Sequence, residues 1–143
     1  MFFNDNTASD PNTMKNLLPK EAYAWLKSHP DALFVDVRME IESLYVGRPP
    51  GVVNVPWYDY PDLQPDAAAF AAAVAHEATS KHQPLLLICR SGQRTIAAGK
   101  ALESAGFTDV QHVVHGFEGD LDAHFKRSTQ SGWRFDGLPW EQM

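Results

Sequence analysis

Apolar and polar positions along the chain follow two periods, one typical of amphipathic helices and one typical of buried strands. The unbroken apolar run "LLLI" (85–88) indicates a strand of a parallel sheet that is buried on both faces, whereas Phe70 and Val74, four positions apart, indicate a helix. These patterns predict helices over 18–29, 65–80, 93–106 and 116–125, and strands over 32–38, 51–56, 84–89 and 109–114. Because helices and strands alternate, we expect an α/β fold whose parallel sheet carries helices on both faces.

Two of the predicted helices depend on particular spacings. The helix over 93–106 has an apolar face made by Ala97, Ala98, Ala101, Leu102 and Ala105. The short helix over 116–125 is predicted because Phe117, Leu121 and Phe125 recur every four residues.

Composition narrows the class of protein. A length of 143 residues favours one domain, over 14–143, after a polar and flexible segment over 1–13 that lacks the pattern of a signal peptide. The formal net charge of −6 gives no reason to expect nucleic-acid or membrane binding. A single cysteine excludes an intrachain disulfide and a cysteine-cluster metal site, and it fits a reducing compartment, hence a cytoplasmic protein.

That cysteine, Cys89, lies where the strand over 84–89 meets the next helix, in the stretch "CRSGQRT". A turn of this kind directs backbone N–H groups and the positive end of the helix at one point. Gly92 allows the turn, and Arg90 and Arg94 add positive charge, so the thiol should ionise more readily than a free one. A buried structural cysteine is the ordinary alternative, but it would need no cationic turn.

The length of this turn separates two reactions of a thiolate. Phosphatases that attack phosphorus through cysteine need a wide loop, with arginine six positions after the cysteine. Here Thr95 holds that position and Arg94 stands at the fifth. A tighter loop suits a smaller anion, such as the terminal sulfur of a persulfide.

The chain resembles the single-domain rhodanese family of sulfurtransferases over roughly residues 14 to 141. The resemblance lies in five segments: "VDVR" (35–38), "GRPPGVVNVP" (47–56), "CRSGQR" (89–94), "GKALESAGFTDVQHVVHGFEG" (99–119) and "GWRFDGLPW" (132–140). Arg48 and Pro49 depart from the His and Ile that are usual in the second segment. The resemblance implies a three-layer fold whose central, mainly parallel sheet has about five strands.

The resemblance to this family also implies a sulfur-transfer reaction. Cys89 would take sulfane sulfur from thiosulfate or a persulfide donor and, as a persulfide, pass it to a thiol, cyanide or a sulfur-carrier protein, without a dissociable cofactor. The active loop that would hold the sulfur consists of Arg90, Ser91, Gly92, Gln93 and Arg94. A phosphatase or arsenate reductase of the same fold, and a non-catalytic interaction module, are the alternatives.

Outside the loop, two side chains are expected to support it, and three histidines are given no functional role. Asp36 and Arg38, at the end of the first predicted strand, are expected to form an ion pair that supports the loop. His112, His115 and His124 do not have a spacing that directs them to one point, so we expect no metal site.

Overall fold

The computed structural model describes residues 13–143, and within them five strands form one parallel sheet. The strands are β1 (Lys15–Leu17), β2 (Leu33–Asp36), β3 (Val53–Asn54), β4 (Leu85–Ile88) and β5 (Val110–Val113), in the spatial order β1-β5-β4-β2-β3. The helices are α1 (Pro19–Ser28), α2 (Ala67–Glu77) and α3 (Arg94–Ser104), with a short π-helical turn over Glu42–Val46. The predicted α/β fold and its five-stranded parallel sheet are therefore confirmed. The predicted flexible segment over 1–13 lies, apart from Thr13, outside the described residues.

The central strand β4 divides the core into two apolar layers. Leu85 and Leu87 point to one face, where they pack with α2 and α3, and Leu86 and Ile88 point to the other, where they pack with α1. Burying each such side chain contributes about 1.5–3 kcal/mol to stability. An all-parallel sheet aligns the carboxyl ends of its strands on one edge, and Cys89 follows β4 at that edge.

The chain between 116 and 125 contradicts its prediction. No helix forms there, because Gly116, Gly119 and Phe125 have φ angles of 61°, 75° and 60°, which a right-handed helix cannot accommodate. Phe117 is buried, but the Phe125 side chain is 82% exposed, so the four-residue spacing does not mark one buried face.

Two further features differ from the sequence prediction. The sequence does not predict strand β1, because Lys15 and Asn16 are polar and only Leu17 is apolar. In the structure β1 pairs with β5 as an edge strand, with Lys15 and Asn16 exposed and Leu17 half-buried. In α3 the predicted face is partly wrong, since Ala97 is exposed while Thr95 and Gly99 are buried. Gly99 lies against Met14 so closely that any side chain there would collide with its sulfur.

The C-terminal tail packs on the face of the sheet that also carries α1. Trp133 is buried against Tyr23 and Phe34, and Arg48 forms a two-way backbone bridge with Glu141. The Arg48 side chain, which departs from the family pattern, contacts nearby groups, the carbonyl of Ser43 at 3.3 Å and the carboxylate of Glu141 at 3.5 Å. Within the described part of the chain, none of the helices has the length and apolar character needed to cross a membrane.

Candidate active site

Cys89 lies at the base of the turn that joins β4 to α3. The residue is 1% exposed, and the N–H of Gly92 donates a hydrogen bond to its Sγ over 3.2 Å. Gly92 can turn its N–H inward because its φ is 97°, and a side chain there would press on the backbone of His115. Helix α3 begins at Arg94, so its positive end lies beside the sulfur. The Gly92 N–H and the end of the helix thus both direct positive partial charge at the sulfur.

A second turn, over 115–119, holds the backbone of the loop in place. The N–H of Phe117 donates to the carbonyl of Cys89 over 2.8 Å, and the N–H groups of Glu118 and Gly119 donate to the carbonyl of Arg90 over 2.9 and 3.2 Å. Because these carbonyls are bound from outside, the peptide units that follow can present their N–H groups to the sulfur. The stretch that fails to form a helix is therefore the support of the loop.

Gly116 is the residue on which this support depends. A Cβ atom there would lie 2.5 Å from the carbonyl oxygen of Cys89, and the φ of 61° is unfavourable for any other residue. Gly116→Ala should lower the free energy of unfolding by roughly 2 to 3 kcal/mol, measured by denaturant titration. Gly137→Ala is the matched control, since Gly137 has a φ of 75° with no atom near its Cβ position and should cost only about 1 kcal/mol. Equal losses in the two variants would show that Gly116 is not packed against the loop.

The two arginines of the loop have different surroundings. Arg94 is 12% exposed and donates two hydrogen bonds to the carboxylate of Glu42, over 2.7 and 3.0 Å. The side chain of Arg90 is exposed and has no hydrogen-bond or ion-pair partner within residues 13–143. Arg90 therefore offers an exposed positive charge that is unpaired within residues 13–143, whereas the charge of Arg94 is balanced by Glu42.

The ion pair between Arg94 and Glu42 shifts the pKa values of both groups towards their charged forms. Burial raises the pKa of Glu42, but the hydrogen bonds and charge of Arg94 outweigh it and hold the pKa below its ordinary value. Burial likewise lowers the pKa of Arg94, but Glu42 outweighs it, with smaller contributions from Tyr58 and Cys89, and the pKa is raised. Both groups are charged at neutral pH, and the pair fixes the first turn of α3 against the π-helical turn.

Asp36 and Arg38 form the ion pair that the sequence predicted. The guanidinium donates to both carboxylate oxygens, over 2.9 and 2.7 Å, and to the carbonyl of Gly47 over 2.7 Å, and both side chains are fully buried. The guanidinium also lies 4.7 Å from the ring centre of Phe117, whose N–H binds the carbonyl of Cys89. The pair thus reaches the loop through Phe117, although it does not touch the sulfur.

Sequence reasoning missed Glu42, and for Trp57 and Tyr58 it favoured a core or rim position over a wall of the active pocket. Glu42 lies in a stretch that had no predicted element, and only the tertiary fold brings it to Arg94. Tyr58 lies under the guanidinium of Arg94, whereas its neighbour Trp57 packs on Phe70 in the core. No regular spacing along the sequence marks any of these contacts.

The three histidines considered as metal ligands differ in their surroundings. His112 is buried within β5, His115 lies 3.4 Å from Asp120, and the exposed His124 follows in the irregular segment. Across residues 13–143 no three metal-binding side chains converge. A cleft of about 490 Å³ beside the loop is lined by residues that include Gly92, His112 and His115.

The fold and this site define a class of protein: an α/β domain that holds a cysteine at the base of a strand-to-helix loop. Comparison with known proteins identifies the family. The model of the Rhodanese-like domain matches residues 18–123, so the chain belongs to that family, as its sequence motifs had predicted.

Relatives and solved structures agree with this assignment. The crystal structure of Rv0390 from M. tuberculosis is 36% identical, with a TM-score of 0.79, and the match covers 90% of this chain and 98% of that one. A "thiosulfate sulfurtransferase/rhodanese-like domain-containing protein 3" of Mus musculus is 30% identical over 75% of this chain and 68% of its own. The polysulfide-sulfur transferase homodimer of Wolinella succinogenes, at 22% identity and a TM-score of 0.61 over 95% of this chain and 83% of that one, shares the fold.

Proposed function

We propose that the protein is a sulfurtransferase that carries sulfane sulfur on Cys89. The observation that carries the proposal is the short hydrogen bond from the Gly92 N–H to Sγ, at the base of a loop with arginine at its fifth position. Thr95, at the sixth, is buried beneath the sulfur, so no arginine stands where a phosphate would require one. The mouse relative, which is named for thiosulfate sulfurtransferase, supports the same reaction.

The cycle has two displacements. The Cys89 thiolate attacks the outer sulfur of thiosulfate; the new S–S bond forms as the old one breaks, and sulfite leaves with the bonding electron pair. A nucleophilic acceptor then attacks the terminal sulfur of the persulfide and releases the thiolate. Sulfur and electrons balance between donor and acceptor, so the cycle needs no dissociable cofactor. The amides of the loop, from Arg90 to Arg94, hold the negative terminal sulfur.

The partners follow from this chemistry. The donor is thiosulfate or another sulfane-sulfur compound, and the acceptor is a small thiol, cyanide or a sulfur-carrier protein. A thiolate with no second cysteine beside it stays reduced most readily in a reducing compartment, and we place the reaction in the cytoplasm.

Arg90 is proposed to select an anionic donor, because it follows Cys89 directly and its charge is exposed and unpaired within residues 13–143. A charge-assisted hydrogen bond contributes about 1.5–3 kcal/mol, so Arg90→Ala should lower kcat/KM for thiosulfate about tenfold or more. A neutral alkyl persulfide, RS–SH, whose outer sulfur moves to Cys89 as the thiol RSH leaves, should be used almost as well as by the wild type. Arg94→Ala is the comparison: its loss leaves Glu42 unpaired and should lower the use of both donors alike. If Arg90→Ala lowered kcat/KM equally for thiosulfate and for the neutral donor, Arg90 would not select the donor.

Substrate choice tests the reaction class on the wild-type protein. We expect thiocyanate to form from thiosulfate and cyanide, and no hydrolysis of an aryl phosphate or reduction of arsenate. Turnover of the aryl phosphate or of arsenate without sulfur transfer would overturn the proposal. Failure with all of these substrates, together with labelling of Cys89 by iodoacetamide no faster than a free thiol at neutral pH, would identify an interaction module instead.

A further inference from the structure

A chain of polar side chains runs from the sulfur of Cys89 to the edge of the sheet. The hydroxyl of Thr95 lies 3.8 Å from Sγ and 2.7 Å from Nδ1 of His112, and Nε2 of His112 lies 2.8 Å from Oδ1 of Asn16. Asn16 and His112 are register partners on β1 and β5, and Thr95 stands in the first turn of α3 above them. Cys89, Thr95 and His112 are buried, whereas Asn16 is exposed.

The directions of these hydrogen bonds follow from what each atom can do. Oδ1 of Asn16 only accepts, so Nε2 of His112 carries a proton. Burial lowers the pKa of His112, which keeps the imidazole neutral at pH 7 and leaves Nδ1 as an acceptor. The Thr95 hydroxyl has two acceptors in reach, Nδ1 of His112 at 2.7 Å and the carbonyl of Gly92 at 3.2 Å, and the shorter contact directs its proton to Nδ1. The Thr95 oxygen can then accept the S–H of Cys89. The S–H and O–H donors both point towards His112, and the Nε2–H of His112 points on to Asn16.

We propose that His112, oriented by Asn16, accepts the thiol proton of Cys89 through the hydroxyl of Thr95. The S–H bond breaks as its proton moves to Thr95 Oγ1, and the hydroxyl proton moves to Nδ1 of His112. The immediate products are a thiolate and an imidazolium; because burial disfavours the charged imidazole, its proton passes on to solvent in the cleft and His112 returns to the neutral form. His112 is thus a positioning residue that acts through Thr95. The inference deepens the proposed function, because it states how the nucleophile of that reaction is formed.

Burial makes such a route useful. A sulfur that is 1% exposed has little direct access to water, whereas Asn16 and His112 both line the cleft of about 490 Å³ beside the loop. A proton on His112 can leave through this cleft. The Gly92 N–H and the positive end of α3 stabilise the thiolate that remains.

Other charged and titratable groups lie near this row of polar side chains, and none of them is changed in the variants below. The Arg94–Glu42 pair lies on the α3 side, the exposed Arg90 follows Cys89 in the loop, and His115 and Asp120 line the same cleft as His112.

Thr95→Val removes the hydroxyl at nearly constant shape, and Thr95→Ser keeps it. The readout is the rate at which iodoacetamide labels the single cysteine, which needs no sulfur donor. At neutral pH we expect Thr95→Val to be labelled about tenfold more slowly than the wild type, and Thr95→Ser within about twofold of it. At about pH 9.5, where a thiol ionises without help, all three should agree within about twofold.

His112→Gln provides a second variant that can accept a hydrogen bond from Thr95 but cannot take up its proton. It should show the same slow labelling at neutral pH and the same recovery at high pH. Asn16→Leu, at the exposed edge, should show a smaller loss of about threefold, and it remains informative if a core variant fails to fold.

Two results would overturn the inference. One is labelling of Thr95→Val and His112→Gln at the wild-type rate at neutral pH. The other is an equal loss at both pH values, which would mean that the side chains only shape the site. The proposed function is tested separately, because a wild type that takes no sulfur from any donor would refute sulfur transfer and leave the labelling result unchanged.

Discussion

Replacing Cys89 by serine is expected to abolish sulfur transfer. The chain contains no other cysteine, and a serine hydroxyl at this position is neither ionised near neutral pH nor able to carry sulfane sulfur. We expect thiocyanate formation from thiosulfate and cyanide to fall more than about a thousandfold, which is the scale seen when a nucleophile is removed. The measurement is steady-state turnover at equal concentrations of folded protein.

The fold must survive this change for the result to be informative. Serine has nearly the shape of cysteine and can accept the hydrogen bond from Gly92, so the free energy of unfolding should change by no more than about 1 kcal/mol. Turnover above about one per cent of the wild-type rate in a well-folded Cys89→Ser would mean that sulfur does not pass through Cys89.

Arg38→Met is expected to cause the largest loss of stability. It leaves the carboxylate of Asp36 fully buried without its partner and removes a donor from the carbonyl of Gly47. Breaking a buried ion pair in this way costs about 3–5 kcal/mol, so the free energy of unfolding in a denaturant titration should fall by that amount.

The exposed pair of Arg48 and Glu141 provides the matched control. Its side chains are 27% and 53% exposed and 3.5 Å apart, so Arg48→Met should cost less than about 1 kcal/mol. Replacing both buried partners, as in Asp36→Leu with Arg38→Met, should cost less than Arg38→Met alone, because no charge is left unpaired. A loss in Arg38→Met no larger than that in Arg48→Met would contradict the supporting role of the pair.

The parts of the fold that the sequence predicts are those with strong local signals. The run "LLLI" identifies β4 as the central strand because only a strand buried on both faces is apolar at every position. The location of Cys89 follows from that strand, since a loop at the carboxyl end of a central strand is where α/β proteins bind ligands. The spacing of Asp36 and Arg38, two apart at a strand end, is likewise enough to predict an ion pair.

The parts that could not be predicted depend on contacts between distant segments. The spacing of Phe117 and Phe125 resembles a helix, but the turn there is fixed by the carbonyls of Cys89 and Arg90, which the local pattern does not reveal. The pairing of Arg94 with Glu42 joins residues 52 positions apart, so the sequence cannot decide which arginine of the loop is free.

The same limit applies to the polar chain beneath the sulfur. From the sequence, Thr95 shows only that the sixth position after Cys89 is not an arginine. Its contact with His112 appears only when α3 packs on β5, and the contact of His112 with Asn16, 96 positions away, only when β1 pairs with β5.

The central claim is that Cys89 carries sulfane sulfur, and the mass of the intact protein tests it most directly. After incubation with thiosulfate and removal of the excess, the wild type should gain about 32 Da, one sulfur atom, located on Cys89 and removed again by cyanide. Cys89→Ser should gain nothing under the same conditions. A wild type that gains no sulfur from thiosulfate or from any persulfide donor would contradict the claim.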